Sequence, residues 1–408
     1  MDNRFSTTST PNGQSPSRLL LSSLLLVLLA SISIDPLTPV AVAAHATFTG
    51  LGDLPGGDFT SYASDLSADG STVVGRGTSA TSTEAFRWTN STGMVGLGRL
   101  PVLELESISF GVSGDGSVVV GHSGNVSGEA FRWNHADAMV GLGVSPHHLL
   151  TIARGVSNDG SVIVGFAPTV MGTEAFRWTS AEGIVNLGDI PGGGSGGPFG
   201  GIEGEPNIYA FGVSADGNVV VGYGITNTGR EAFRWQSPQG MVNIGDLPGG
   251  QVNAGANAAS SDGSVVVGSG TSADGREAFY WTAANGMIGL GDFPGGSHSS
   301  WASSVSADGS IVVGSGTTDG GMQAFRWTSA GGMENLRDAL VAAGATGLNG
   351  WTLTYATAIS DDGRTIAGNG RNPAGQNEAW VATFPVPEPS CLLLAATTLV
   401  ALRGFGRQ

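Results

Sequence analysis

The chain has 408 residues and a formal net charge of −16, from 33 acidic residues against 17 basic ones, every one of them Arg. With no Lys there is neither a Schiff-base amine nor a phosphate-loop Lys, and no clustered basic stripe exists to hold a phosphate backbone, so nucleic acid is excluded as a partner. Gly supplies 68 residues, hydrophobic residues make up 40% and charged residues only 12%, a balance that favours short strands and tight turns over helices and still leaves apolar surface for a core.

The first segment reads as an address. Residues 19–34, LLLSSLLLVLLASISI, follow Arg4 and Arg18 and precede Ala41-Val42-Ala43 and Ala44-His45-Ala46. This is the layout of a secretory signal peptide, assigned to 1–44 with cleavage near 43 to 46. A retained anchor is the alternative, although the apolar run is shorter than the ~20 residues a membrane span needs.

From 47 to 384 the sequence repeats itself. A Ser-x-Asp-Gly string recurs at Asp69, Asp115, Asp159, Asp216, Asp262, Asp308 and Asp362, and a Gly stands six residues after each Asp, from Gly75 to Gly368. The repeat length matches a four-stranded propeller blade. Each unit offers four short strands. The first ends at the turn, as in YASDLSADG (62–70), and the second follows at once, as in STVVG (71–75); Asp-Gly is expected to supply the positive backbone dihedrals of the hairpin. The third is EAFRW (84–88, 174–178, 231–235) and the fourth is of the GMVGLG type (93–98, with variants at 138–143, 183–188, 240–245, 286–291 and 332–337).

The last third strand, EAWVATF (378–384), has no fourth strand after it, yet an orphan copy, TFTGLGDLPGG (47–57), opens the repeat region. A ring closed by pairing these two ends protects the edges that an open array would expose. The expected fold is therefore all-β, a seven-bladed β-propeller closed by an N-terminal strand. A β-solenoid or an array of small sheets is the alternative. The AFRW strings resemble those of the HAF-repeat proteins, a family of extracellular repeats. That resemblance implies an external location and brings no activity with it.

The chain ends with Pro387-Glu388-Pro389, an apolar run at 391–402 and a tail with Arg403 and Arg407. These residues resemble the PEP-CTERM sorting signal of Gram-negative bacteria. The resemblance implies that 385–408 is a sorting signal with a transmembrane segment at 391–402. It further implies transient anchoring in the inner membrane, recognition by an exosortase-type enzyme, and release to the cell surface or extracellular matrix of cells that make exopolysaccharide. Cys391, the single Cys, lies in this run, so the repeat region has no thiol for a disulfide or a thiolate metal site.

Residues that recur once per unit are scaffold, because one active site needs one asymmetric constellation. On that ground the repeated Arg of AFRW (Arg87, Arg132, Arg177, Arg234, Arg326) and the seven turn Asp are structural. Phe86 and Trp88, on one face of their strand, are inter-blade packing. Each turn supplies one carboxylate where a calcium loop needs several, and adjacent His147-His148 would point to opposite sides of a strand, so no metal and no cofactor is expected. Gly193-Gly194-Ser195-Gly196-Gly197 fits a hydrolase elbow in letters only, without the strand-turn-helix context.

Function is expected where the repeat breaks, in the blade-to-blade connections. Those hold Phe59, Tyr62, Glu104, Glu106, Tyr209, His298, Trp301 and Trp351, together with Asp53, Asp189, Asp246 and Asp292, which would make that face acidic. Tyr62, Trp301 and Trp351 are the candidate ligand-binding residues, suited to stacking on sugar rings; capping of the blade ends is their structural alternative. The expected function is a non-catalytic exported protein that binds a carbohydrate, such as exopolysaccharide, or a protein partner through one propeller face. The alternative is an enzyme acting on extracellular polysaccharide, with Glu104, Glu106 or His298 as acid or base.

Overall fold

The computed structural model describes residues 45–101, 106–124, 128–143, 150–169, 172–193 and 207–386. The expected signal peptide, the Pro387-Glu388-Pro389 motif, the apolar 391–402 segment, Glu104 and His147-His148 lie outside the described residues, as does the Gly-rich stretch from 194 to 206. Among the described residues no helix is long and apolar enough to cross a membrane.

The described chain is a seven-bladed β-propeller with almost no helix. Every blade is a four-stranded antiparallel sheet. After strand β1 (Thr47–Gly50), the first complete blade is the meander β2 (Gly56–Leu66), β3 (Thr72–Ser79), β4 (Thr83–Thr89) and β5 (Gly93–Gly96). Five more meanders follow, opening with strands Ser107–Val112, Ile152–Val156, Ile208–Val213, Gly255–Ala259 and Ser300–Val305. The seventh blade has three strands of its own, Thr352–Ile359, Thr365–Arg371 and Asn377–Thr383. Its fourth is β1, with Thr47 opposite Thr383 and Gly50 opposite Trp380.

This closure copies a within-blade contact set. In the first blade Leu97 N–H donates to the Ala85 carbonyl and Gly98 N–H to the Glu84 carboxylate. Across the closure, Leu51 N–H donates to the Ala379 carbonyl (2.9 Å) and Gly52 N–H to the Glu378 carboxylate (2.9 Å). In the first, second, fifth and seventh blades the Glu of this strand thus clamps its neighbouring strand, whereas in the third and fourth the equivalent Gly N–H donates to Asn186 and Asn243.

The Ser-x-Asp-Gly turns depart from expectation in one respect. Only the Gly takes a positive φ, between 68° and 74° in all seven; the Asp does not. The Asp is held otherwise. In the first turn Asp69 Oδ1 accepts the Ser67 hydroxyl (2.6 Å) and the Ser71 N–H (2.9 Å), while Ser67 Oγ accepts the Thr72 N–H (2.9 Å). Gly70 N–H donates to the Ser67 carbonyl, a tight turn with a left-handed Gly at its end, and Ser67 N–H donates to the Thr72 carbonyl, so residues 68–71 form a four-residue hairpin loop. The buried Ser makes the motif specific, since its oxygen saturates a strand N–H that the turn would otherwise orphan.

A bulge explains the Gly six residues on. In every first strand the register slips just before the turn, between Ala63 and Asp65 in β2 and between Ser109 and Gly111 in the next blade. The kink drives a first-strand carbonyl onto the second strand, where a Cβ at Gly75 would overlap the Tyr62 oxygen and one at Gly121 the Ile108 oxygen. Any side chain there would break the sheet.

Blades pack as the alternation of EAFRW predicts. Phe86, Trp88 and Met94 of the first blade meet Ala358, Ala367 and Ala379 of the seventh, while Val74 and Ala85 on the opposite face meet Phe131 and Trp133 of the second. The repeated Arg is scaffold where its bonds are defined: Arg87 Nε donates to the Gly116 carbonyl of the next blade's turn and Arg234 Nε to that of Gly263. A belt of backbone hydrogen bonds runs through the turns. Gly114 N–H reaches Asn158 O, and the chain of bonds continues through Ala215, Ser261, Ala307 and Asp361 to Ala68 O; Asp69 N–H to Gly114 O completes the circle.

The sequence reading missed one helix, α1 (Leu336–Ala342), between the sixth and seventh blades. Asn335 caps it by accepting the Arg337 and Asp338 N–H groups, and Leu336 and Leu340 enter the core beside Ala46.

Candidate functional site: the central channel

Because the first strands are innermost, the residue extruded by each bulge points at the propeller axis. The seven are Ser64, Phe110, Arg154, Phe211, Asn257, Ser303 and Thr357, and all line one cavity of about 510 Å³. That volume falls within the range of small-molecule sites. The scaffold repeats sevenfold, yet this ring does not. Three bulky residues, Phe110, Arg154 and Phe211, stand together on one side, and small hydroxyl and amide residues occupy the other.

Toward the turns the ring gives way to an apolar collar that includes Leu66, Val112, Val213 and Ile359. Beyond the collar, at the turn residue preceding each Asp, five blades carry Ala, Gly or Ser. The other two carry Asn158 and Asp361, from blades as far apart as a ring of seven permits. Asn158 Nδ2 donates to Asp361 Oδ2 across the axis at 3.1 Å. This bond spans the channel at its turn end.

The bulky side of the ring is an aromatic and cationic wall. The Arg154 guanidinium lies 4.3 Å from the Phe110 ring centroid and 5.1 Å from that of Phe211. Burial brings its pKa down to about 10, and it has no hydrogen-bond or ion-pair partner among the described residues. Outside the cavity lining, in the third and fourth blades, Tyr209 stacks on Tyr223 at 4.7 Å, Phe166 meets Tyr209 edge-on at 5.0 Å, and the Arg230 guanidinium covers the Tyr223 ring at 3.6 Å.

Asp65 is the second break in the repeat. Where the other blades have Gly, Ala or Ser, because the next blade's backbone crowds that position, the first blade has a carboxylate. Its oxygens accept the Leu66 N–H (2.8 Å) and, across the blade junction, the Val112 N–H (2.9 Å). Burial outweighs those two bonds and pushes its pKa up to about 7. The side chain still meets the cavity.

The candidate residues from the sequence divide accordingly. Tyr62 lines the cavity near its mouth, under the Arg76 guanidinium at 5.1 Å. Trp301 lies outside the cavity lining with Arg276 5.9 Å from its ring. Trp351 packs edge-on against Phe48 at 5.1 Å, bracing the closing strand, and lies outside the cavity lining. Glu106 is tied in by its carbonyl, which accepts the Gly124 N–H. His298 lies 3.6 Å from Glu277, whose carboxylate holds Gly291 N–H. Neither touches the cavity.

The four Asp expected to make the connection face acidic differ in exposure. Asp53, Asp246 and Asp292 are half-buried and spend their carboxylates on backbone N–H groups of their own connections, those of Thr60, Asn253 and Ser299; Asp189 alone is exposed. Of the hydrolase-like string only Gly193 is described, and its N–H closes a turn onto the Ile190 carbonyl. Among the described residues no group of three His, Cys, Asp or Glu could hold a metal ion.

No protein-family model matches the sequence, and no curated protein matches it. Solved structures similar to the chain are propellers of low identity. TolB from Acinetobacter baumannii is 11% identical with a TM-score of 0.44, over 67% of this chain and 61% of that one, so the match spans about three fifths of that TolB. A putative TolB from Agrobacterium tumefaciens is 15% identical with a TM-score of 0.42, over 68% of this chain and 89% of that one. The oligogalacturonate lyase of Vibrio parahaemolyticus is 11% identical with a TM-score of 0.49, over 85% of this chain and 98% of that one.

Proposed function

We propose that this is an exported, non-catalytic repeat protein of the cell surface or extracellular matrix that binds a saccharide at the mouth of its central channel. In this reading residues 1–44 direct export. The Pro387-Glu388-Pro389 tail holds the chain at the inner membrane until an exosortase-type enzyme removes it.

One observation carries the binding reading: the scaffold is sevenfold, but the channel lining is not. Aromatic rings and Arg gather in the second to fourth blades and hydroxyl and amide groups face them, a pairing suited to sugar faces on one side and sugar hydroxyls on the other. A pure spacer needs no such asymmetry. The test is a glycan array and the producing cell's own exopolysaccharide, probed with the full chain and with a Tyr209→Ala, Tyr223→Ala double variant. Binding that the double variant weakens supports the reading; silence in both assays sinks it.

A second reading, a polysaccharide hydrolase or lyase, draws on Asp65, a carboxyl that titrates near neutrality in a cavity wall. It expects the array-positive saccharide to be cleaved by the wild type and left intact by Asp65→Asn. Unchanged saccharide after prolonged incubation with the wild type removes it.

A further inference from the structure

We propose that the channel binds the end of an acidic saccharide, a terminal uronate, with the Arg154 guanidinium as the anchor for its carboxylate; this rests on the saccharide-binding reading above and adds the class of sugar.

Arg154 is the one charged residue in the bulge ring, and it lines the cavity without a counter-ion among the described residues. Its side chain is half-buried and meets the cavity, and no bond in the scaffold partners it. Where the repeat uses Arg structurally, as at Arg87 and Arg234, the guanidinium donates to a carbonyl of the next blade. Arg154 does nothing of the kind. The guanidinium lies over the Phe110 and Phe211 rings, and its N–H groups have no hydrogen-bond partner among the described residues of the cavity wall. A planar fork held in this way matches a planar carboxylate.

The remaining groups select what carries that carboxylate. Ser64 and Ser303 line the same ring and have no hydrogen-bond partner among the described residues, and Asn257 has given its amide N–H to the Ala302 carbonyl but keeps its oxygen. These suit sugar hydroxyls. Asp65 and Asp361 stand in the same cavity and the whole chain carries −16, so a single negative charge is accommodated better than the higher charge of a phosphate. The Asn158–Asp361 bond lies across the path a threading polymer would take at the turn end, which favours a chain terminus as the ligand.

The test is titration calorimetry on the full chain with glucuronate and galacturonate disaccharides, their methyl esters, the neutral hexose disaccharides and a sulfated hexose disaccharide. Free uronates are expected to bind about 30-fold more tightly than their methyl esters, the loss typical of a charge-assisted bidentate contact. Arg154→Met should erase that preference without lowering the melting temperature, and Arg154→Lys should restore part of it. The ester comparison uses wild-type protein and therefore stands even if a variant misfolds. Equal binding of acid and ester, or tighter binding of the sulfated sugar, overturns the uronate assignment while leaving saccharide binding intact. No binding of any sugar overturns both.

Discussion

Replacing Asp65 with Ala, a residue the repeat already tolerates at this position, should make the propeller more stable at neutral pH, by an amount that grows with pH. In the folded chain burial pushes the Asp65 carboxyl up to about 7, whereas the unfolded chain has the ordinary value of 3.8. Between those values the native state keeps a proton that the unfolded state has lost. Stability therefore falls as pH rises through this window and levels off above 7. At about 1.4 kcal/mol per pH unit over roughly three pH units the ceiling is about 4 kcal/mol. Contact with cavity water lowers this, so the difference between variant and wild type should widen by about 2–4 kcal/mol from pH 4 to pH 8. Loss of the bond to Val112 N–H costs the variant about 1 kcal/mol at every pH and shifts the curve without changing its slope. Guanidinium chloride unfolding followed by Trp fluorescence at pH 4, 5, 6, 7 and 8 measures the difference directly. A gap that stays flat across this range would refute the buried-carboxyl argument.

The turn carboxylates titrate in the opposite sense. In Asp115, Asp262 and Asp308 the backbone N–H two residues on, with Ser hydroxyls, holds the carboxyl below its usual value; in Asp159 and Asp216 the preceding Ser hydroxyl contributes most; in Asp69 the same bonds overcome burial. Their stabilisation is complete above pH ~4 and disappears as pH falls through the folded values, so acid unfolding should be steep, with uptake of several protons in a potentiometric titration. Gly121→Ala should cost at least about 3 kcal/mol and lower the melting temperature sharply, because the added methyl overlaps the Ile108 carbonyl and sits 2.8 Å from the Phe131 ring. Ala138 holds a φ of 57° where the corresponding residues Gly93, Gly183 and Gly240 take 66° to 78°. Ala138→Gly should therefore raise stability by about 0.5–1 kcal/mol in the same denaturation assay.

The scaffold was legible because it is written seven times. Turn, Gly, EAFRW and the orphan strand could each be checked against six copies, and the pairing of 47–50 with the last strand followed from counting. The channel was harder to see. Arg154 and Asp65 sit inside strands of ordinary composition, and their significance emerges only when the units are aligned on the turn Asp. The first then occupies a position otherwise held by Phe, Ser, Asn or Thr, and the second one otherwise held by Gly, Ala or Ser. The bulge that turns the preceding residue inward leaves no signature except the conserved distance between strand and turn, so strict alternation would have assigned these residues to the wrong faces. Trp351 shows another limit of sequence: an aromatic in a connection can serve a ligand or a neighbouring strand equally well, and its packing against Phe48 is visible only in the fold. Helix α1 hid behind Asn335, which ends one motif and caps the next.

The pairing of β1 with a partner more than three hundred residues away governs how the molecule is assembled. A nascent chain emerges with β1 first and must hold it unsatisfied until the final strand has been made. Every partial intermediate therefore has two open sheet edges, each able to capture a strand from another copy. Completion has to await release of the whole polypeptide, and the entropic cost of that long loop falls on the last step rather than the first. Shortening the chain by its final strand would thus leave six blades unsealed, not a smaller propeller.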